Sequence, residues 1–185
     1  SILPLSHVFE QVCGFLYFLE HGASIVYMKS RRGSEIVKLF SKEKITILLT
    51  VPAFLIVFKG KIEEKAKAAG RIKTLRKMLA FADRLPYGLR RILFAKVHKT
   101  FGGTLTRMVS AGAHLPEEVE IFWERLGFKV IKGYGLTETS PILTATPENA
   151  RMIGSVGPPI PGVELKLSDQ DEILARGKNI FQGYY

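Results

Sequence analysis

The sequence predicts an α/β fold, with a mostly parallel sheet flanked by helices and the start of a β-rich subdomain at the C-terminal end. Up to Pro147, short apolar and β-branched runs alternate with segments of helical periodicity, which is typical of a parallel sheet. Beyond Pro147, Pro and Gly separate short alternating runs, which favours antiparallel strands. We therefore divide the chain into residues 1–149, the α/β part, and residues 150–185, the beginning of the β-rich subdomain.

The first part of the chain contains two strand and helix pairs. Residues 22–28 (GASIVYM) form a β-branched run that predicts a strand, and residues 33–44 carry apolar side chains at helical spacing behind Ser34, which can cap the helix. Residues 45–51 (ITILLTV) predict a buried strand. Pro52 then suits the first turn of a helix, because proline lacks the amide hydrogen that the first turn leaves unpaired.

The next elements complete a βαβ unit. Residues 87–103 predict an amphipathic helix that ends at two glycines. Its apolar face holds Leu89, Ile92, Leu93, Val97 and Phe101, and Arg90, Arg91, His98 and Lys99 lie largely away from that face. Residues 106–112 predict a strand, Pro116 opens a helix with acidic residues in its first turn, and residues 128–135 predict the following strand. Short connections of this kind build a parallel sheet.

Length and composition limit the possible classes of protein. The chain has 185 residues, 46% of them hydrophobic, which is enough for one packed domain. The single cysteine, Cys13, excludes an internal disulfide, and no Cys and His cluster indicates zinc, so we expect a reducing, cytoplasmic location. Apolar runs are too short to span a bilayer or are broken by Pro52. Since the first methionine is Met28, we expect a piece of a longer protein.

Positive charge is concentrated in one segment, from Lys59 to Lys99. The formal net charge is +10, and this segment holds 13 of the 27 Lys and Arg residues with three acidic residues, while the rest of the chain is balanced. Such a surface suits acidic partners, namely phospholipid headgroups, an acidic carrier protein or the phosphates of a coenzyme. A solvated helical face is the more common explanation. We expect no nucleic acid partner, since no nucleic-acid-binding motif accompanies the charge.

Two glycine-containing loops follow predicted parallel strands. These are SAGAHLP (residues 110–116) and KGYGLTETSP (residues 132–141). Ligands of open α/β sheets bind outside the carboxyl ends of the strands, so we expect both loops to face one crevice. The alternative is structural: the glycines allow a bend, and Thr137 and Ser140 cap the connection that Pro141 ends.

The residue types in these loops suit a nucleotide and its metal ion. Gly112 and Ala113 would present peptide groups to a ring, and Tyr134 offers an aromatic face for stacking. Thr137 supplies a hydroxyl for a phosphate oxygen. Glu138 supplies a hard oxygen ligand for Mg²⁺, which takes one or two protein carboxylates and completes its shell with water and substrate phosphates.

Four segments of this chain resemble motifs of the adenylate-forming superfamily and occur in the same order as they do in that superfamily. The superfamily includes acyl-CoA synthetases, luciferases and the adenylation domains of peptide synthetases. YGLTETSP resembles its tyrosine-glycine-threonine-glutamate motif, and SAGAHLP its adenine-binding loop. GSVGPPIPGVELKL is similar to the segment that leads into its β-rich subdomain, and DEILARGKNIFQGYY to its glycine-tyrosine strand. The segments LPLSHVFE and RRILFAKVHKTFGG look closest to long-chain fatty acyl-CoA synthetases, and the histidine of the first is similar to one beside the family's acyl site.

The resemblance implies a ligase that activates a carboxylate with ATP and passes the acyl group to a thiol, usually coenzyme A. By position in the motifs, Tyr134 would stack on adenine, Thr137 would contact phosphate and Glu138 would hold Mg²⁺, so that Thr137 and Glu138 are the candidate catalytic residues. His7 would lie by the acyl substrate. The cofactor-binding set also includes Gly112, Ala113, His114, Lys132, Gly133 and Gly135. An ordinary core or surface histidine is the alternative for His7, and it is the reading we prefer for His98.

The chain departs from the family pattern in three respects. The Ser, Thr and Gly-rich phosphate loop that precedes the histidine motif is absent from these 185 residues, as are the downstream ribose-binding aspartate and the C-terminal domain with its catalytic lysine. His114 stands where relatives commonly have a small residue or proline. We therefore expect the isolated chain to be inactive or nearly so.

The leading hypothesis is the central part of the large N-terminal domain of an AMP-forming long-chain fatty acid CoA ligase, which uses fatty acid, ATP, Mg²⁺ and coenzyme A. One alternative is an acyl-acyl carrier protein synthetase or another acid:thiol ligase. Another is a noncatalytic module that binds a carrier protein or makes peripheral contact with a membrane through Lys59 to Lys99. The apolar residues 8–19 and 45–58 suit an acyl tunnel, although core packing more often explains such runs.

Overall fold

The computed structural model describes residues 2–28 and 32–185. A π-helical stretch, Glu10–Leu16, continues into α1 (Tyr17–Glu20). The remaining α-helices are α2 (Gly33–Glu43), α3 (Pro52–Ala68), α4 (Ile72–Ala82), α5 (Tyr87–Leu93), α6 (Ala95–Thr100) and α7 (Glu117–Arg125). The strands are β1 (Ile47–Thr50), β2 (Arg107–Ser110), β3 (Lys129–Tyr134), β4 (Thr144–Ala145), β5 (Val163–Leu167) and β6 (Ile173–Gly177).

The main sheet has the order β1-β2-β3-β4, and its first three strands are parallel. The register aligns Thr50 with Ser110 and Ser110 with Lys132, so the carboxyl ends of the three strands meet at one edge. The short strand β4 pairs antiparallel with the end of β3 and is not predicted by the sequence pattern. The mostly parallel sheet flanked by helices confirms the predicted fold class.

The core lies between the sheet and the helices around Trp123. Trp123 is fully buried, and its indole N–H donates to the carbonyl oxygen of Leu55 on α3 at 3.2 Å. The rings of Phe101 and Phe128 approach Trp123 edge-on, with centroids 5.6 and 5.5 Å away. This geometry is the favoured one for aromatic pairs. Helix α3 starts with Pro52 in its first turn, as predicted, and buries Leu55 and Phe58.

The structure corrects the prediction for residues 22–28. No described part of this segment is assigned to a strand. Residues 23–26 and Met28 instead line a cavity of about 280 Å³ together with residues of β1. The capping prediction for Ser34 is also wrong, because α2 begins at Gly33 after Arg32 and has no side-chain cap.

The single helix predicted for residues 87–103 is two helices. The chain turns at Phe94, with φ −107° and ψ 31°, and the ring of this residue is buried. The turn leaves Ile92 71% exposed, although the sequence pattern places it on the apolar face. His98, predicted to lie away from that face, is instead buried. This burial agrees with the structural role that we prefer for His98 and shows that it is a core residue and not a surface one.

The C-terminal residues form a separate, exposed hairpin. Strands β5 and β6 are antiparallel, which confirms the strand type predicted beyond Pro147. None of the residues 150–185 is buried. The division at residue 149 stays a prediction, and an ion pair between Arg151 and Glu124 on α7 crosses it. In the described part of the chain, no helix combines the length and apolar character needed to cross a membrane.

Candidate functional site

The candidate site lies where β2 and β3 end at the carboxyl edge of the sheet. Residues 111–116 follow β2, and residues 135–141 follow β3. Because β2 and β3 are hydrogen-bonded neighbours with Ser110 opposite Lys132, the two loops leave the sheet side by side. The structure therefore brings both predicted loops to one edge, which is where open α/β sheets bind ligands.

The first loop is open to solvent. Gly112 has φ +83°, a left-handed conformation that favours glycine, and a Cβ atom built there would meet nothing within 4 Å. Ala113 and His114 are exposed, and Leu115 anchors the end of the loop in the core. The glycine is thus needed for the backbone conformation, and the space beside it is free for a ligand.

The second loop folds tightly on itself. Gly133 and Tyr134 pair with Ala145 and Thr144 as the last residues of β3. A Cβ atom on Gly135 would lie 2.1 Å from the carbonyl oxygen of Pro141. The close approach of the Pro141 backbone therefore requires a glycine at position 135 without any ligand. This agrees with the structural alternative, in which the glycines of this loop allow a bend.

A 3₁₀ turn, Thr137–Thr139, presents the polar residues of the second loop. The amide of Leu136 donates to the hydroxyl oxygen of Thr139 at 2.9 Å, so Thr139 is the capping residue, and not Thr137 or Ser140 as the structural alternative expects. Thr137 is exposed at the start of the turn. Its hydroxyl group is thereby left at the surface beside Glu138.

Glu138 is held by residues from the C-terminal segment. The hydroxyl of Tyr184 donates to Oε1 of Glu138, and the amide of Phe181 donates to its backbone oxygen at 2.9 Å. The hydrogen bond from Tyr184, followed by one from the backbone amide of Glu138, keeps the pKa of this carboxyl below its usual range. An ionised, partly exposed carboxylate fits Mg²⁺, which combines few protein oxygens with water and substrate phosphates.

The side chain of Lys132 faces away from the loop. Its ammonium group forms a 2.6 Å ion pair with Oε2 of Glu120, and both side chains are almost completely buried. The same Glu120 oxygen accepts the amide of Gly154 at 3.1 Å. Thr146 fixes the backbone of Lys132 by accepting its amide hydrogen at 2.7 Å. Only the backbone of Lys132 is therefore in a position to border a ligand.

Sequence reasoning does not identify two buried carboxylates of α7, Glu120 and Glu124, that bind groups of β3 and of the chain that follows it. Glu120 and Glu124 lie one turn apart on α7 and are both buried. Oε1 of Glu124 accepts the amide of Val130 at 2.7 Å and the guanidinium of Arg151 at 2.9 Å. Their spacing of four residues, which puts both on one face of α7, is the available signal.

His7 stays within its own segment in its hydrogen bonding. It is exposed, its amide donates to the Pro4 carbonyl oxygen at 3.0 Å, and its carbonyl accepts from Gln11. Among the described residues, no backbone hydrogen bond joins it to either loop.

The nearby Glu10 is fully buried, and neither carboxylate oxygen has a hydrogen-bond partner among the described residues. Burial, and then the charge of Glu10, raises the pKa of Cys13 to about 11.

Comparisons with known proteins give one family. The family model described as AMP-binding enzyme matches residues 1–185. Long chain acyl-CoA synthetase 4 of Arabidopsis thaliana is 31% identical over 100% of this chain and 32% of its own length. A long-chain-fatty-acid--[acyl-carrier-protein] ligase of Arabidopsis thaliana, AEE15, is 33% identical over 52% of this chain and 15% of its own length. The chain thus spans at most about a third of the length of these two curated relatives.

Solved structures share the fold. The N-terminal domain of FACL13 from Mycobacterium tuberculosis has a TM-score of 0.68 and 16% identity, and the match covers 100% of this chain and 41% of that one. At this identity the likeness shows the fold alone. It agrees with the parallel sheet, the flanking helices and the small antiparallel hairpin described above.

Proposed function

The chain belongs to the family of AMP-binding enzymes, and from that membership we propose that it is the central part of the large N-terminal domain of an AMP-forming long-chain fatty acid CoA ligase. In the proposed reaction, the carboxylate of a fatty acid attacks the α-phosphate of ATP, which gives an acyl-adenylate and pyrophosphate. The thiol of coenzyme A then takes the acyl group, and AMP leaves. The longer relatives at about 30% identity support the ligase class; the long-chain substrate is our proposal.

We assign the nucleotide to the two loops at the carboxyl edge of the sheet. The ring of Tyr134 would stack on adenine, and none of the ring–ring contacts among the described residues involves it. Gly112, Ala113 and His114 would line the base, with the backbone of Lys132, Gly133 and Gly135 bordering it. The exposure of the first loop and the solvent-facing position of Thr137 support these roles.

One observation carries the proposal for the phosphate end: an ionised carboxylate, Glu138, stands beside Thr137 on a loop at that edge. Glu138 would hold Mg²⁺, and Thr137 would donate to a phosphate oxygen. When bound, the metal ion would neutralise phosphate charge as it develops in the transition state. Tyr184 would fix the rotamer of Glu138 through its hydrogen bond. His7 would contact the acyl substrate.

The test uses the full-length protein that carries this chain. We expect Glu138→Gln to lower ATP–pyrophosphate exchange by about 100-fold, because it removes the charged oxygen ligand without changing the size of the side chain. Glu164→Gln, on the exposed strand β5, is the matched control and should leave the exchange rate near that of the wild type. An unchanged rate in Glu138→Gln would overturn the assignment of the metal site.

An acyl carrier protein is the alternative acceptor. This alternative is supported by the relative named as an acyl-carrier-protein ligase, which matches about half of this chain. Parallel assays with coenzyme A and with acyl carrier protein, after the same adenylate-forming step, distinguish the two. Release of AMP only with the carrier protein would replace coenzyme A in the proposal.

Location and membrane contact stay predictions. We propose a cytoplasmic protein, with peripheral membrane contact through Lys59 to Lys99 as the noncatalytic alternative. Binding to anionic vesicles that is insensitive to salt would contradict a contact based on charge, because at about 0.1 M salt the attraction between exposed charges more than about 10 Å apart is largely screened.

A further inference from the structure

A wide groove lies on the far side of the molecule from the two loops. It has a volume of about 1200 Å³ and runs between α2, α3, α4 and the α5–α6 pair. Helix α3 starts at the carboxyl edge of the sheet, and a rise of about 1.5 Å per residue puts Lys65 about 20 Å from Pro52. The groove is lined by the second half of α3 and by α6, which precedes the amino end of β2. The groove is therefore a different place from the proposed nucleotide site.

The floor of the groove is apolar. It is formed by Phe58, Ile62, Leu75, Met78, Val97 and Phe101. Phe58 and Phe101 belong to the buried core, with ring centroids 5.6 Å apart, so the floor is built on rigid packing. Ile92 is 71% exposed at the wall of the groove and is available for contact with a partner.

Cations surround this apolar floor. Lys61 and Lys65 lie one turn apart on α3, Arg71 stands at the start of α4, and Lys96 lies on α6. In the described part of the chain, none of these four cations is in an ion pair, whereas Lys59, outside the groove lining, pairs with Glu63 at 2.9 Å. Glu64 is the one acidic residue among the described lining residues. The groove thus has an apolar centre and a rim whose cations form no ion pair among the described residues, although Lys61 also lies over the ring of Phe58, 5.5 Å from its centroid.

We propose that this groove docks an acidic amphipathic helix of a partner protein. Its apolar stripe would lie on the floor, and carboxylates on its flanks would meet the cations of the rim, which is the usual way a helix binds in a groove. The rim charges come from three different helices and do not gather at one end, so they match a helix with carboxylates on both flanks. A lipid bilayer is flat and meets protruding apolar side chains, and the floor of this groove is recessed.

The proposal extends the proposed function but does not depend on it, because binding is measured without ATP. The probe is a fluorescent synthetic helix of about 14 residues, with Leu at positions i, i+3, i+4 and i+7 and Glu on both flanks. A second peptide of the same composition has its Leu positions shuffled. Fluorescence anisotropy with the full-length protein should give a dissociation constant on the order of 10 μM for the first peptide. Binding to the shuffled peptide should be at least about tenfold weaker, since it has no apolar stripe.

Two pairs of matched variants locate the binding surface. Lys61→Glu, Lys65→Glu and Lys96→Glu together should weaken binding by about tenfold or more, whereas Lys67→Glu, Lys73→Glu and Lys77→Glu change the net charge equally outside the groove and should change it by less than about twofold. Ile92→Ser should weaken binding, and Leu89→Ser, on the same helix but outside the groove lining, should not. Thermal melting of every variant checks that a loss of binding does not come from unfolding.

Three results would overturn the proposal. The first is no binding of the amphipathic peptide by the full-length protein. The second is an equal loss in both triple variants, because general charge attraction would then explain the binding. The third is tighter, Lys61-dependent and Lys96-dependent binding to phosphatidylglycerol vesicles than to the peptide, which would make this face a membrane surface.

Discussion

The imidazole of His98 lies between an aromatic ring and a backbone carbonyl. Its Nε2 is 2.7 Å from the oxygen of Leu126, and its ring stacks on Phe128 at a centroid distance of 4.2 Å. Since the Leu126 oxygen can only accept, Nε2 carries the hydrogen. Nδ1 is buried without a partner among the described residues. A second proton on Nδ1 would therefore place an unpaired N–H and a charge in the core.

Burial consequently lowers the pKa of His98. The hydrogen bond to Leu126 raises this pKa, whereas the positive charge of Arg91 lowers it further, so the net shift is downward. A group with a folded pKa below its unfolded value of about 6.5 contributes its full stability above that value and loses it as the pH falls through the folded pKa. Between about pH 7.5 and 5.5 we therefore expect urea denaturation to show a fall in the free energy of unfolding, to which this residue contributes at most about 1.4 kcal/mol, since its unfolded pKa lies about one unit above pH 5.5.

His98→Gln keeps a donor for the Leu126 oxygen but removes the titration. Its free energy of unfolding should therefore fall less over the same pH range than that of the wild type. Parallel stability curves for the two proteins would contradict the prediction, because the acid sensitivity would then arise at other groups.

At the scale of elements, the loop between β3 and β4 depends on close backbone contact. The carbonyl oxygen of Pro141 and the Cα of Ile142 lie 2.1 and 2.8 Å from where a Cβ of residue 135 would be. Both are backbone atoms, so neither moves by a simple change of rotamer. The turn Thr137–Thr139 lies between these two points and carries the candidate catalytic residues.

Gly135→Ala should therefore destabilise the protein by about 1–3 kcal/mol, because the loop must open to admit the methyl group. Chemical denaturation measures the effect. Gly60→Ala is the matched control: position 60 is inside α3, a Cβ there meets nothing within 4 Å, and the change should stabilise by about 0.5–1 kcal/mol. Equal effects at the two positions would refute the packing explanation.

The same scale shows which elements can be predicted from sequence. Strands β1 to β3 and helices α3 and α7 are predictable because local patterns and tertiary packing agree in them. Residues 22–28 have an equally good strand pattern, but none of their described residues is assigned to a strand, and several line a cavity beside β1 instead. The break at Phe94 is not predictable in this way, because a continuous helical pattern contains no signal that Phe94 and His98 must reach the core.

The candidate site is predictable in part for a similar reason. Its two loops follow predicted strands, so their common edge follows from topology. The hydrogen bond from Tyr184 to Glu138 joins residues 46 positions apart, and the ion pair of Lys132 with Glu120 crosses from β3 to α7. No local sequence pattern predicts either contact. Each of them determines where the side chain of a site residue, Glu138 or Lys132, lies.

At the scale of the whole molecule, the buried apolar side chains are distributed unevenly. Every described hydrophobic residue of the core lies between Ile36 and Leu143. The hairpin β5–β6 is attached by polar contacts instead: the side-chain amide of Asn179 donates to the carbonyl oxygens of Thr139 and Ile142, both at 2.9 Å. Burial of apolar surface is the main source of stability, at about 25 cal/mol per Å², so the hairpin has little of its own.

Hydrogen exchange should resolve this difference. Amides of β2, which is bonded to strands on both sides and buries Met108, should exchange only on global unfolding. Amides of β5 and β6 should exchange by local opening, at least about 100-fold faster. Low concentrations of urea provide the control, since they accelerate exchange through global unfolding but hardly affect small local openings. Equal protection of β2 and the hairpin would mean that the two unfold together, and the polar contacts of Asn179 would then be strong enough to make them one cooperative unit.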